Sequence, residues 1–305
     1  MSAFRFDLRD TTLTAALRRI AGSETTAILS LIAAAREMQR KDEGTPCDTT
    51  IHGIRKRSKK LRAVLRLLRA GLPKVQPAEN ALLRDTARSL AHRRDAAVRL
   101  AIFDQIAGAN DTPETRALRA HLVAETTQAP ALPAPDLASL EATFQSLALR
   151  IESWDLRGGD RRILAEGLAQ TRLRARTAMR NARDRPSDAA LHDWRKRAKD
   201  VWYHTRLLQP IWPELFKPME AEADRLGKIL GQHHDLAELA RHLRALPDDV
   251  LRPDLRNSLL PQLTEAQDTL EATAFPLGAR LLAGDPQDIA DLWVKWWKVW
   301  RAQVD

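Results

Sequence analysis

Six side chains on one predicted helix, His52, Arg55, Lys56, Lys59, Arg62 and Arg66, have the types and spacing that select a chemistry. At about 100° per residue they point into a sector of about 120°, and the row they form runs about 21 Å at about 1.5 Å per residue. Ile54, Leu61, Val64, Leu65 and Leu68 take the opposite side, so one face packs while the other presents charge. An ordinary solvated helix face mixes signs, because like charges at i,i+4 spacing cost about a few tenths of a kcal/mol each. This face carries no acid. Its self-repulsion calls for a compensating anion, and the residue types suit phosphate: Arg forks engage two oxygens, Lys supplies point charge, and His adds a donor on protonation.

The row recurs. Shifting the chain by 140 residues places IHGIRKRSKKLRAVLRLLR (51–69) on LHDWRKRAKDVWYHTRLLQ (191–209), with eight of nineteen positions identical. The second row is His192, Arg195, Lys196, Lys199 and Arg206, with Trp202 in the place of Arg62 and with Trp194, Val201 and Leu208 on the apolar side. The same offset pairs Arg36 with Arg176, Arg40 with Arg180, Arg88 with Lys228, Leu90 with Leu230 and Asp95 with Asp235. One offset held across three helices indicates an internal duplication.

The elements that must carry these rows are all helical. Twelve glycines, with abundant Ala, Leu, Arg and Glu, leave little material for strands or a phosphate-cradling glycine loop. Proline and polar clusters divide the chain into helices near 11–42, 48–70, 77–107, 113–128, 137–154, 159–184, 187–209, 214–246, 253–282 and 286–303. Pro218, Pro261 and Pro276 blur the later boundaries, since proline inside a helix removes a hydrogen bond. The break QAPALPAPD (128–136) separates an expected first bundle repeat, 1–130, from a second, 131–305.

Composition bounds the partners. Lys and Arg outnumber Asp and Glu by 49 to 40, a formal charge of +9. Residues 49–78 hold nine basic residues and no acid, so that stretch alone equals the excess. A polyanionic partner follows. The single Cys47 excludes an intramolecular disulfide and a cysteine zinc cluster. MSAFRFDLRD has no apolar signal core and no apolar run approaches a membrane span, so a soluble, cytoplasmic protein without a membrane span is expected.

Other features were weighed as chemistry. His233, His234 and Asp235 suggest a metal-dependent phosphohydrolase, but the repeat pairs them with Arg93, Arg94 and Asp95, and arginine does not ligate metal. Asp95 and Asp235 are better suited to orienting neighbouring cations. Glu220, Glu222 and Asp224 alternate as in an acidic strand, yet sit in a predicted helix, where i and i+2 diverge. With no nucleophile motif or P-loop, neither catalytic residues nor a metal or other cofactor are expected. Trp293, Trp296, Trp297 and Trp300 follow helical spacing, which suits a core stripe closing the second bundle; flanking Lys295, Lys298 and Arg301 keep a membrane- or partner-facing helix in view. His92, His121, His204 and His242 lack the repeated basic context and suit surface or packing positions.

The duplicated H-x-x-R-K-R-x-K-x6-R-L-L helix, followed by SLAHRRDAAV (89–98) and ILGQHHDLAEL (229–239), resembles the CHAD family, the alpha-helical domain named for its histidines. The resemblance runs from FRFDLRDTTLTAALRRI to the C-terminal helix. It implies two pseudo-symmetric helical bundles with a basic groove between them that binds inorganic polyphosphate without catalysis. The implied ligands are both histidine-helix rows with Arg36, Arg40, Arg176, Arg180 and Lys228, and Arg88, Arg94 and His234 as further candidates. Association with polyphosphate granules and the oligomeric state stay open. Nucleic acid is the rival polyanion, but base readout in single strands uses exposed aromatics, and the chain has 5% aromatics with none on the first row.

Overall fold

A computed structural model describes residues 4–41, 48–90, 95–108, 112–128 and 136–303. Cys47, most of the proline-rich break, and His92, Arg93 and Arg94 lie outside the described residues. The fold is all-α. Among the described residues there are eleven helices: α1 (Leu13–Arg40), α2 (Asp48–Leu67), α3 (Val75–Ser89), α4 (Asp95–Ala107), α5 (Pro113–Gln128), α6 (Leu137–Ile151), α7 (Asp160–Asp184), α8 (Asp188–Leu208), α9 (Pro213–Ala245), α10 (Pro253–Leu281) and α11 (Pro286–Arg301). Short 3-10 turns, Arg69–Gly71 and Gln209–Ile211, follow α2 and α8. Thr12, Asp136, Ser187 and Asp285 cap the starts of α1, α6, α8 and α11 with their side-chain oxygens, satisfying backbone donors that the first turn leaves open.

One boundary differs from expectation. The helix expected over 77–107 is two, α3 and α4, on either side of residues 91–94. Pro218, Pro261 and Pro276 lie inside α9 and α10, in keeping with the helices expected over 214–246 and 253–282. All three lie on solvent-exposed positions, where water can take the carbonyl that the missing N–H leaves free.

Packing partners follow a parallel plan. α1 lies against α2 and α6, and α7 against α8 and α11; α2 packs on α3, α8 on α9, α4 on α5, and α9 on α10. The hydrophobic core does not divide at residue 130. One cluster gathers Phe4, Ile20, Leu61, Leu65, Phe144, Ile163, Leu207, Phe216 and Trp293 from both halves of the chain. Another joins Phe103 and Leu118 of α4 and α5 to Leu239 and Leu243 of α9. The tryptophan stripe belongs to the first of these: Trp293 and Trp300 are buried, Trp296 and Trp297 pack partly against it, and Trp293 meets Phe216 edge-on at 5.1 Å.

The two row-bearing helices cross where α2 ends. His204 of α8 is fully enclosed there: Nε2–H donates to the Ala63 carbonyl of α2 at 2.9 Å, and Nδ1 lies 3.0 Å from Thr171 Oγ1 of α7. A carbonyl can only accept, so a neutral imidazole with its proton on Nε2 satisfies the crossing. Close approach of the third helix depends on Gly167, where a Cβ would fall 1.8 Å from the Leu67 carbonyl oxygen.

Burial, only partly opposed by Asp200, pushes the His204 pKa from 6.5 to about 4. Between those values the unfolded chain holds a proton that the folded chain refuses, so stability is lost as pH falls through that window, by about 1.4 kcal/mol per unit at most. Urea unfolding at pH 7 and pH 4.5 should show His204→Gln losing about 2 kcal/mol less on acidification than the parent. Equal losses would remove this histidine from the acid sensitivity of the crossing.

Candidate anion-binding site

The α8 row is not a solvated face. It lies along the crevice between α8 and α9, which two small residues of α9 let close. A Cβ at Gly227 would sit 2.8 Å from Cε of Lys199, and one at Gly231 would sit 3.4 Å from Nε of Arg195. The end of the Lys199 side chain and the Arg195 guanidinium therefore lie against α9 where it has no side chain to keep them off. His192, one turn further toward the N-terminus, stacks on His234 of α9 with ring centroids 4.1 Å apart. Burial, then His234, Lys196 and Arg195, push the His192 pKa down to about 4, and burial lowers that of His234 too. Both rings are neutral at pH 7 in the absence of an added negative charge.

At the other end of the row, Trp202 fills the place held by Arg62 in α2. Lys199 Nζ lies 4.4 Å from its ring centroid and the Arg206 guanidinium 5.7 Å, so the indole separates two cations and attracts both. Carboxylates are few and come from α9. Asp224 bridges Lys199 at 3.3 Å and Lys228 at 2.9 Å, and Glu220 stands 3.8 Å from Arg206. Burial pulls the Lys199 pKa below its usual 10.5 against the support of Asp224. Several donors stay unanswered: Arg195 Nε, Arg206 Nε and His192 Nδ1 are buried without a hydrogen-bond partner among the described residues. Lys196 is exposed.

The α2 row leans on α3 in the corresponding way. Arg62 Nε donates to Asn80 Oδ1 of α3 at 3.0 Å, and burial followed by the neighbouring Arg66 lowers its pKa to about 10. Arg66 reaches across the helix crossing to Asp200 of α8. His52, Lys56 and Lys59 are exposed and Arg55 is half-buried. Arg57 and Lys60, on the other flank, share the buried Glu24 of α1 at 2.8 and 2.7 Å. The α2 face read as acid-free is thus partly balanced by Asp200 of α8, which takes Arg66, while Glu24 of α1 balances the neighbouring flank.

The flanking arginines have other partners. Arg36 pairs with Glu141 of α6, Arg40 with Glu37 one turn back, and Arg176 donates to the Gly284 carbonyl at 2.7 Å, while Arg180 is exposed. Arg88 lies in the last turn of α3. His233 and His234 diverge: His233 is buried against Glu271 of α10 at 3.0 Å, whereas His234 turns to His192. Among the described residues no group of three or more His, Cys, Asp or Glu converges as a metal site. Sequence reasoning missed Glu220 and Asp224 as partners of the row. Their i,i+4 spacing within EAEAD was the available signal.

No helix of the described residues is long and apolar enough to cross a membrane. A comparison with curated proteins finds no match. A family model described as the CHAD domain matches residues 30–244, which takes in both rows, the crossing of α2 with α8, and the crevice between α8 and α9. The chain belongs to the CHAD domain family.

Proposed function

We propose that this chain binds inorganic polyphosphate, without reacting with it, through the cationic rows of α2 and α8. The observation that carries this reading is the α8 row: cations pressed into a helix crevice with guanidinium donors on Arg195 and Arg206 left unanswered. Buried donors without partners cost about 1–3 kcal/mol each, a cost that an incoming phosphate oxygen removes. Family membership and the recurrence of His, Arg, Lys, Lys and Arg at one offset support the same ligand. The groove between two duplicated bundles is part of this proposal, as is a reach into polyphosphate granules.

The ligand suits the site better than nucleic acid does. Trp202, the aromatic of the row, is flanked by Lys199 and Arg206 and half-buried, so it does not present a free face to a base. Binding is then chiefly electrostatic, rising with chain length and weakened by salt.

Long-chain polyphosphate should be retained at about 150 mM salt and lost when Arg55, Lys59, Arg195 and Lys199 are all changed to Glu. Unchanged retention removes the site assignment, and displacement by single-stranded RNA at equal phosphate concentration favours the rival polyanion. The recovered polymer should keep its length in Mg²⁺ or Mn²⁺; orthophosphate release that disappears in His234→Ala would overturn the non-catalytic reading.

Asp224 offers a test of opposite sign. Asp224→Asn leaves Lys199 and Lys228 without their shared carboxylate and should tighten polyphosphate binding about threefold at low salt, with the gain shrinking as salt rises. Weaker or unchanged affinity in a folded variant would place the polymer away from this end of the row.

A further inference from the structure

Where the end of α2 meets α7 and α8, four arginines converge from separate elements. Arg66 ends α2, Arg69 lies in the turn after it, Arg174 is on α7 and Arg197 on α8, and they line one pocket with Gln170, Thr171 and Asp200. Two carboxylates serve them. Asp200 pairs with Arg66 and stands 3.8 Å from Arg197, and Asp193 lies 3.2 Å from Arg197. Four guanidiniums less two carboxylates leave two positive charges. The guanidiniums of Arg69 and Arg174 have no hydrogen bond or ion pair among the described residues, and Arg66 Nε is buried without a partner. Burial, then Arg69 and Arg197, lower the Arg174 pKa from its usual value.

The cluster is distinct from the α8 row. At about 100° per residue, Arg197 points roughly 100–160° away from His192, Arg195, Lys196 and Lys199, toward α7 rather than α9. It also opens sideways. Arg69 and Gln170 line, in addition, a cleft of about 380 Å³ walled by Ala70, Ala169, Leu173 and Pro286. That volume lies in the range of small-molecule sites. Leu173 is a leucine left 45% exposed at its rim. Glu166, which pairs with Arg162, Asp285, which caps α11, and Gln287 line it as well.

The narrow arginine pocket and the wider apolar cleft thus adjoin at Arg69 and Gln170, which line both. We propose that it is a second binding site, for a nucleotide, with the di- or triphosphate among Arg66, Arg69, Arg174 and Arg197 and the base against Leu173 and Pro286. The arginine forks engage phosphate oxygens two at a time, and Glu166, Asp285 and Gln287 accept from or donate to the base edge. This site does not depend on the polyphosphate reading, although Arg66 stands at the meeting point of both.

Calorimetric titration of the full chain with ADP, adenosine and pyrophosphate tests it, beside long-chain polyphosphate as the second arm. ADP should bind at least tenfold more tightly than adenosine and than pyrophosphate. Arg69→Gln with Arg174→Gln should lose ADP at least tenfold while polyphosphate changes less than twofold. Leu173→Asp, at an exposed position that does not threaten folding, should lose ADP as well. ADP no tighter than adenosine, or equally tight in either variant, overturns the site. Pyrophosphate binding as well as ADP overturns the nucleotide assignment, and polyphosphate lost in parallel with ADP assigns these arginines to the polymer.

Discussion

A row of like charges can be held against a helix partner only if its stems find apolar contact and its heads find just enough opposite charge. That constraint organises the α8–α9 pair. Gly227 and Gly231 let the end of Lys199 and the guanidinium of Arg195 lie against α9, and Trp202 separates Lys199 from Arg206. The carboxylates are rationed: Asp224 is shared by two lysines, and Glu220 lies at the outer edge of ion-pair distance from Arg206. The resulting surface is stable enough to fold yet short of anions, as a site for a polyanion must be.

The same constraint explains why the core is not split between the halves. α2 and α8 cross with His204 on the Ala63 carbonyl and Arg66 on Asp200, so each half supplies polar partners to the other. Phe4 and Leu61 then share a core with Phe216 and Trp293. The proposed duplication fits the parallel packing of α1 with α2 and α6 beside α7 with α8 and α11.

Much of this was legible in the residues. The 3.6-residue period places Ile54, Leu61 and Leu65 in the core and His52, Lys56 and Lys59 outside it, as found. His204, set apart because it lacks the repeated basic context, proves to be a packing histidine. What escaped is tertiary. An acid-free stretch says nothing of Asp200 or Glu24 arriving from other helices, and the helical placement of EAEAD puts Glu220 and Asp224 one turn apart without stating that they meet α8. Arg69, Arg174 and Arg197 fall outside any row and are gathered only by the crossing of three elements.

Lysine footprinting by acylation and mass spectrometry, with and without long-chain polyphosphate, tests the central claim most directly. Lys56, Lys59, Lys196 and Lys199 should be protected by the polymer, while the exposed Lys217, Lys295 and Lys298 keep their reactivity. Protection centred on the α11 lysines, or none on either row under conditions where the polymer is bound, would contradict the account.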